Sequence, residues 1–82
     1  MKAWQLLEKS GWCRGYTQKV GSDGKISFCL LGAVQEVYGL KVGVYAVQKL
    51  RTTLGTLFLA SWNDRPGRTK AEVVDLLKKA NV

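Results

Sequence analysis

Apolar residues recur with a helical period in three long stretches and one short one of this chain, and alternate in two. From Cys29 onward, Leu30, Leu31, Val34, Val37 and Tyr38 follow the 3.6-residue repeat, and Gly39 stands where a left-handed C-cap ends a helix. Ser27 is the expected N-cap, which puts Phe28 and Cys29 in the first turn. A second stripe, Val44, Val47, Leu50 and Leu54, is closed by Gly55 and leaves Gln48, Lys49, Arg51 and Thr52 on the wet side. The third, Val73, Leu76, Leu77 and Ala80, opens with Thr69-Lys70-Ala71-Glu72. That is a capping box, in which the Glu72 amide donates to the threonine hydroxyl and the Thr69 amide donates to the glutamate.

The alternating stretches are Tyr16 to Val20 and Lys25 to Phe28, around the turn Gly21-Ser22-Asp23-Gly24, which predicts a hairpin of two half-buried strands. "AWQLLEK", residues 3 to 9, gathers Trp4, Leu6 and Leu7 before Ser10-Gly11 and predicts a short N-terminal helix. "TLFLASW", residues 56 to 62, is too short for periodicity to separate a buried strand from a helical turn, and a short helix is the favoured assignment. These elements predict an α+β fold: one small, mostly helical domain over residues 1–82, with three to four short helices packed on a two-stranded β-hairpin. Leu31, Val34, Val37, Val47, Leu50, Leu54, Val73, Leu76 and Leu77 should form its core.

Charge changes the picture most. Thirteen Lys and Arg stand against six Asp and Glu, a formal net charge of +7 on a small surface. Such a surface attracts polyanions over about a Debye length, ~8–10 Å at ordinary salt. The expected partner is an anionic ligand such as nucleic acid, a nucleotide or an acidic protein surface; solubility alone is the plainer account of the same charge. No stretch has the roughly 20 apolar residues of a spanning helix, and Lys2, Glu8 and Lys9 interrupt the N-terminus where a signal peptide stays apolar. A cytoplasmic protein that does not act at a membrane is expected; oligomeric state is not legible.

Candidate chemistry narrows by elimination. There is no histidine, which removes Ser-His-Asp and Cys-His catalysis and His-based zinc sites, and two cysteines cannot close a structural zinc tetrahedron. Neither a phosphate loop nor Gly-x-Gly-x-x-Gly occurs, so neither cofactor nor metal is expected. Cys29 at a helix start could hold a stabilised thiolate and serve a thiol-dependent enzyme; its apolar neighbours and the missing base favour a buried core thiol instead. Asp64 and Glu72 make a poor acid/base pair, since a turn or an ion pair accounts for the first and the capping box for the second.

The richest segment is "SWNDRPGRTKAEVV", residues 61 to 74. Trp62, Asn63, Asp64, Arg65 and Arg68 precede the capping box in a loop rigidified by Pro66, and Trp12 with Arg14 repeats the pairing of an aromatic face with guanidinium donors. These seven residues are the candidate ligand-binding set, acting by stacking and charged hydrogen bonds. In the alternative account, Asn63 and Asp64 tie the loop to backbone amides, the arginines are solvated and the tryptophans complete the core. Arg65 and Arg68 lie outside the apolar stripes, so their loss should hardly affect stability.

Three segments together, "GWCRG" (11 to 15), "FCLLGAV" (28 to 34) and "WNDRPGRTKAEVVDLLKKA" (62 to 80), resemble a family of small bacterial and phage proteins of unknown function. Its members carry Gly-Trp-x-x-Gly, Trp-Cys-x-x-Gly-Ala and Trp-Asn-Asp-x-Pro-x-Arg-Thr, the last being the most specific. Phe28 replaces the usual tryptophan of the second motif, and the hairpin is shorter. The resemblance implies a shared, phage-like fold and a shared site around Cys29 and Trp62 to Arg68; it implies no activity.

Overall fold

The computed structural model describes residues 1–82, which fold as α1 (Ala3–Ser10), β1 (Gln18–Val20), β2 (Ile26–Phe28), α2 (Leu30–Leu54), α3 (Leu59–Asp64) and α4 (Lys70–Lys79). Four helices and one antiparallel hairpin make the expected α+β domain. No helix is long and apolar enough to cross a membrane.

α2 is bent rather than straight. Gly39 adopts φ 74° and ψ 179°, an extended positive-φ conformation essentially confined to glycine rather than the left-handed C-cap that the sequence predicts there, and it splits α2 into two arms. The second arm folds back over the first, since a methyl group on Gly43 would meet Val34 Cγ1 at 3.7 Å. Gly55, at φ 80°, ends the second arm as expected, its amide donating to the Arg51 carbonyl.

α1 packs against α2 and α4, and α3 against α2, around Leu7, Leu30, Val34, Leu50, Val73 and Leu77. Five of the nine expected core residues are buried there: Val34, Leu50, Val73, Leu76 and Leu77. Leu31, Val37, Val47 and Leu54 are only partly buried at its edge, and Val44 is exposed. The second arm turns Gly43, Ala46 and Leu50 inward, because close approach to the first arm favours the small residues of the helix over its valines.

The hairpin pairs Gln18 with Phe28 and Val20 with Ile26, as its turn predicts, but β1 is exposed throughout instead of half-buried. Only the Phe28 end of the hairpin reaches the helices. The N-cap of α2 also differs from the expected Ser27. Phe28 belongs to β2, and Cys29 is the cap, with the Gly32 amide donating to its Sγ at 3.3 Å. Ladder bonds keep residues 26–28 extended, so the helix starts two residues later than a Ser27 cap would place it. α4 opens with the capping box in full: the Glu72 amide donates to Thr69 Oγ1 at 3.3 Å and the Thr69 amide to Glu72 Oε1 at 3.0 Å. A cap of this kind contributes about 1 kcal/mol.

Candidate functional site

The three motif segments meet at one place, and Asn63 is its centre. It is 1% exposed at the end of α3, and every polar atom of its amide is engaged. Its Oδ1 accepts from Trp12 Nε1 at 2.7 Å and from the Leu30 amide at 3.1 Å; its Nδ2 donates to the Cys13 carbonyl at 3.2 Å and to Asp64 Oδ1 at 2.9 Å. One side chain therefore ties the N-terminal loop, the first turn of α2 and α3 together. An asparagine suits this position because it offers both acceptor and donor without a charge to desolvate.

Asp64 and Arg14 extend the clasp outward. Asp64 Oδ1 also accepts from the Gly15 amide at 2.9 Å, and Arg14 Nη1 donates to the Arg65 carbonyl at 3.1 Å. The Gly15 amide, then the Asn63 amide, and lastly the Arg14 charge hold the Asp64 carboxyl below the ordinary aspartate range. Its stabilising effect is therefore complete above that range and is lost as pH falls through the lowered value. The N-terminal loop is further fixed to the hairpin, with the Cys13 amide donating to the Phe28 carbonyl and the Phe28 amide to the Gly11 carbonyl, both at 3.1 Å. Trp12 thus forms a parallel bridge to Phe28.

Arg68 is not a solvated side chain. Its guanidinium lies 3.9 Å from the centre of the Trp62 ring, Nε donates to the Trp62 carbonyl at 2.9 Å, and Nη1 donates to Glu72 Oε2 at 2.8 Å. Only 11% of this side chain is exposed, so its removal costs stability, contrary to the expectation that Arg65 and Arg68 are alike. The difference is geometric: Arg68 sits one turn before Glu72 and over Trp62, whereas Arg65 is exposed and forms no ion pair. Trp62 is partly buried with one face covered by Arg68.

What remains open to solvent is a basic edge. Arg14 and Arg65 are both exposed, are linked through the bond from Arg14 Nη1 to the Arg65 carbonyl, and form no ion pair with a carboxylate. Of the thirteen Lys and Arg, only Arg68 and Lys78 are in ion pairs, with Glu72 and Glu8. Beside Arg65 runs a shallow groove of about 420 Å³ lined by Leu54, Thr56, Phe58, Ser61, Trp62, Arg65 and Arg68. Phe58, which sequence reasoning passed over inside an ambiguous apolar run, is exposed on its wall. Nothing in a seven-residue run tells which aromatic faces outward.

Cys29 and Cys13 are both buried, free thiols. Cys13 Sγ donates to the Tyr16 carbonyl at 3.4 Å. Burial pushes the Cys29 thiol above its ordinary value, and the amides of Gly32 and Leu31 only partly oppose it. An acceptor role at the start of α2 accounts for the residue, and the buried thiol is a poor source of thiolate. In native protein at neutral pH, iodoacetamide should modify both cysteines far more slowly than in urea-unfolded protein. Rapid native labelling of Cys29 would reinstate a thiol reaction. No group of three or more His, Cys, Asp or Glu side chains is placed to hold a metal ion.

Neither a curated protein nor a solved structure matches this chain. A family model does match, over residues 1–81, nearly the whole length and all three motif segments. The chain belongs to the family of unknown function DUF6197.

Proposed function

We propose that this protein is a small basic binding protein that recognises an anionic ligand at the edge formed by Arg14 and Arg65. The observation that carries this reading is that Arg14 Nη1 donates to the Arg65 carbonyl, which brings two exposed arginines from distant segments to one edge, neither in an ion pair with a carboxylate. Arginines unpaired with carboxylates leave positive potential at this edge, which attracts an anion. The Asn63 amide, donating to the Cys13 carbonyl, and the Asp64 carboxylate, accepting from the Gly15 amide, hold the edge rigid, which lowers the ordering cost of binding. Nucleic acid is the first ligand class to test, because a planar guanidinium fork matches phosphate oxygens.

Replacing Arg14 and Arg65 together with alanine should leave thermal unfolding nearly unchanged, since both heads are exposed and neither belongs to the core. Binding should weaken by about 1–3 kcal/mol for each charge-assisted contact removed. Titration of labelled nucleic acid, nucleotide and an acidic protein at several salt concentrations is the direct measurement. Salt-dependent binding to any of them that the double variant loses supports the reading. Binding that is equal in the two proteins excludes this edge.

A further inference from the structure

We propose that Phe58 is the stacking platform of a site for single-stranded nucleic acid, with the base on its ring and the adjacent phosphate on Arg65. The proposal rests on the anionic-ligand reading and adds the identity of the ligand and an aromatic contact. Phe58 is 71% exposed, an unfavourable position for a phenyl ring in water. Its exposure is not a frayed end: the Phe58 amide donates to Thr56 Oγ1 at 3.2 Å and its carbonyl accepts from the Trp62 amide at 3.0 Å. The ring is thus presented from a fixed backbone, and it forms one wall of the groove whose other side carries Arg65. No acidic side chain lines that groove, so its charge is complementary to a phosphodiester.

Trp62, the larger aromatic in the same groove, is the weaker candidate. Arg68 already occupies one of its faces at 3.9 Å, and the residue is partly buried against the core. A base stacks on a side chain only when its own face is free, as in an unpaired strand; in a duplex both faces are covered by neighbouring base pairs. The six residues of α3 are also too short to span a major groove as a recognition helix. The arginine in the groove and the absence of any acidic side chain there favour a phosphodiester strand over a protein contact made by the ring alone.

The experiment is an anisotropy titration of the full chain with a labelled oligothymidylate of about 15 nucleotides, within the span of known single-strand sites. A DNA hairpin duplex and inorganic polyphosphate serve as competitors. Wild type should prefer the single strand. Phe58→Ala should weaken oligothymidylate binding about tenfold or more while competition by hairpin and polyphosphate stays unchanged, and Phe58→Trp should retain wild-type affinity. Arg65→Ala should weaken all three and reduce the slope of log affinity against log salt by about 1. Phe58 is solvent-exposed, so an unchanged unfolding midpoint is expected for Phe58→Ala and should be measured beside the titration. Undiminished oligothymidylate binding by Phe58→Ala, equal losses for all three polyanions, or a hairpin bound as tightly as the single strand overturns the stacking site and leaves the anionic-ligand reading standing. Absence of binding to all three by wild type overturns the stacking site, and if nucleotide and acidic protein also fail to bind it overturns the anionic-ligand reading as well.

Discussion

Gly32→Ala is expected to destabilise the protein by about 3 kcal/mol or more, at a helix position where the same change ordinarily stabilises by up to about 1 kcal/mol. Gly32 lies in the first turn of α2, and a Cβ there would sit 1.9 Å from the Thr17 carbonyl oxygen and 2.8 Å from its carbon. Both distances are far inside van der Waals contact, and both atoms are backbone. The Thr17 carbonyl cannot simply withdraw, because it accepts from the Cys29 amide at 3.1 Å. The helix start cannot shift either, since its Leu30 amide is held by Asn63. Relief therefore requires opening the contact between the loop and α2. Gly43→Ala is the matched control: its nearest neighbour would be Val34 Cγ1 at 3.7 Å, an ordinary contact, so the gain in helix propensity should be kept. Urea unfolding of the two variants should move in opposite directions; a Gly32→Ala midpoint at or above wild type would show that the Thr17 loop yields freely.

Asn63→Ala should be comparably severe, costing about 3–5 kcal/mol. The variant leaves Trp12 Nε1 and the Leu30 amide without their acceptor and the Cys13 carbonyl without its Asn63 donor. Each buried group stranded in this way costs about 1–3 kcal/mol, reduced where water can enter. Such a loss is a large share of the ~5–15 kcal/mol that holds an ordinary domain folded. Asn63→Asp separates the hydrogen bonds from the shape. At neutral pH the introduced carboxylate lies beside Asp64 and can donate nothing to the Cys13 carbonyl, whereas its protonated form can. Burial and the Asp64 charge raise the folded-state pKa of that carboxyl above its unfolded value. The variant should therefore be closest to wild type below the unfolded pKa and fall behind as pH rises through the folded one. Thermal unfolding across mildly acidic to neutral pH reads this directly, and a difference independent of pH would mean that Asn63 acts by shape alone.

These two positions illustrate how unevenly the site could be read from residues. The segment from Trp62 to Arg68 is visibly rich in recognition groups, and in the structure it is hydrogen-bonded to Trp12, Arg14 and the Leu30 amide. Yet the partners of Asn63 lie 51, 33 and 50 residues away, and no local pattern distinguishes a buried, fully bonded amide from a solvated one. Arg65 and Arg68 are three positions apart and chemically identical, but only Arg68 lies over Trp62 and within reach of Glu72.

The sequence by itself determined the features whose free energy is local. The Thr69 to Glu72 capping box closes over four residues, Gly39 and Gly55 take positive-φ conformations that need no distant contact, and the glycine-rich turn brings its two flanks into register. Tertiary structure alone decided which faces and groups are buried. Close approach of the two arms of α2 turned Gly43 and Ala46 inward and left Val44 in solvent; pairing of Phe28 with Gln18 kept Phe28 in the strand and made Cys29, not Ser27, the cap; and Arg68, by covering Trp62, left Phe58 as the more exposed aromatic of its groove. Hydrophobic periodicity reports how a segment can divide its own surface, while burial and the satisfaction of polar groups depend on what the rest of the chain brings to that surface.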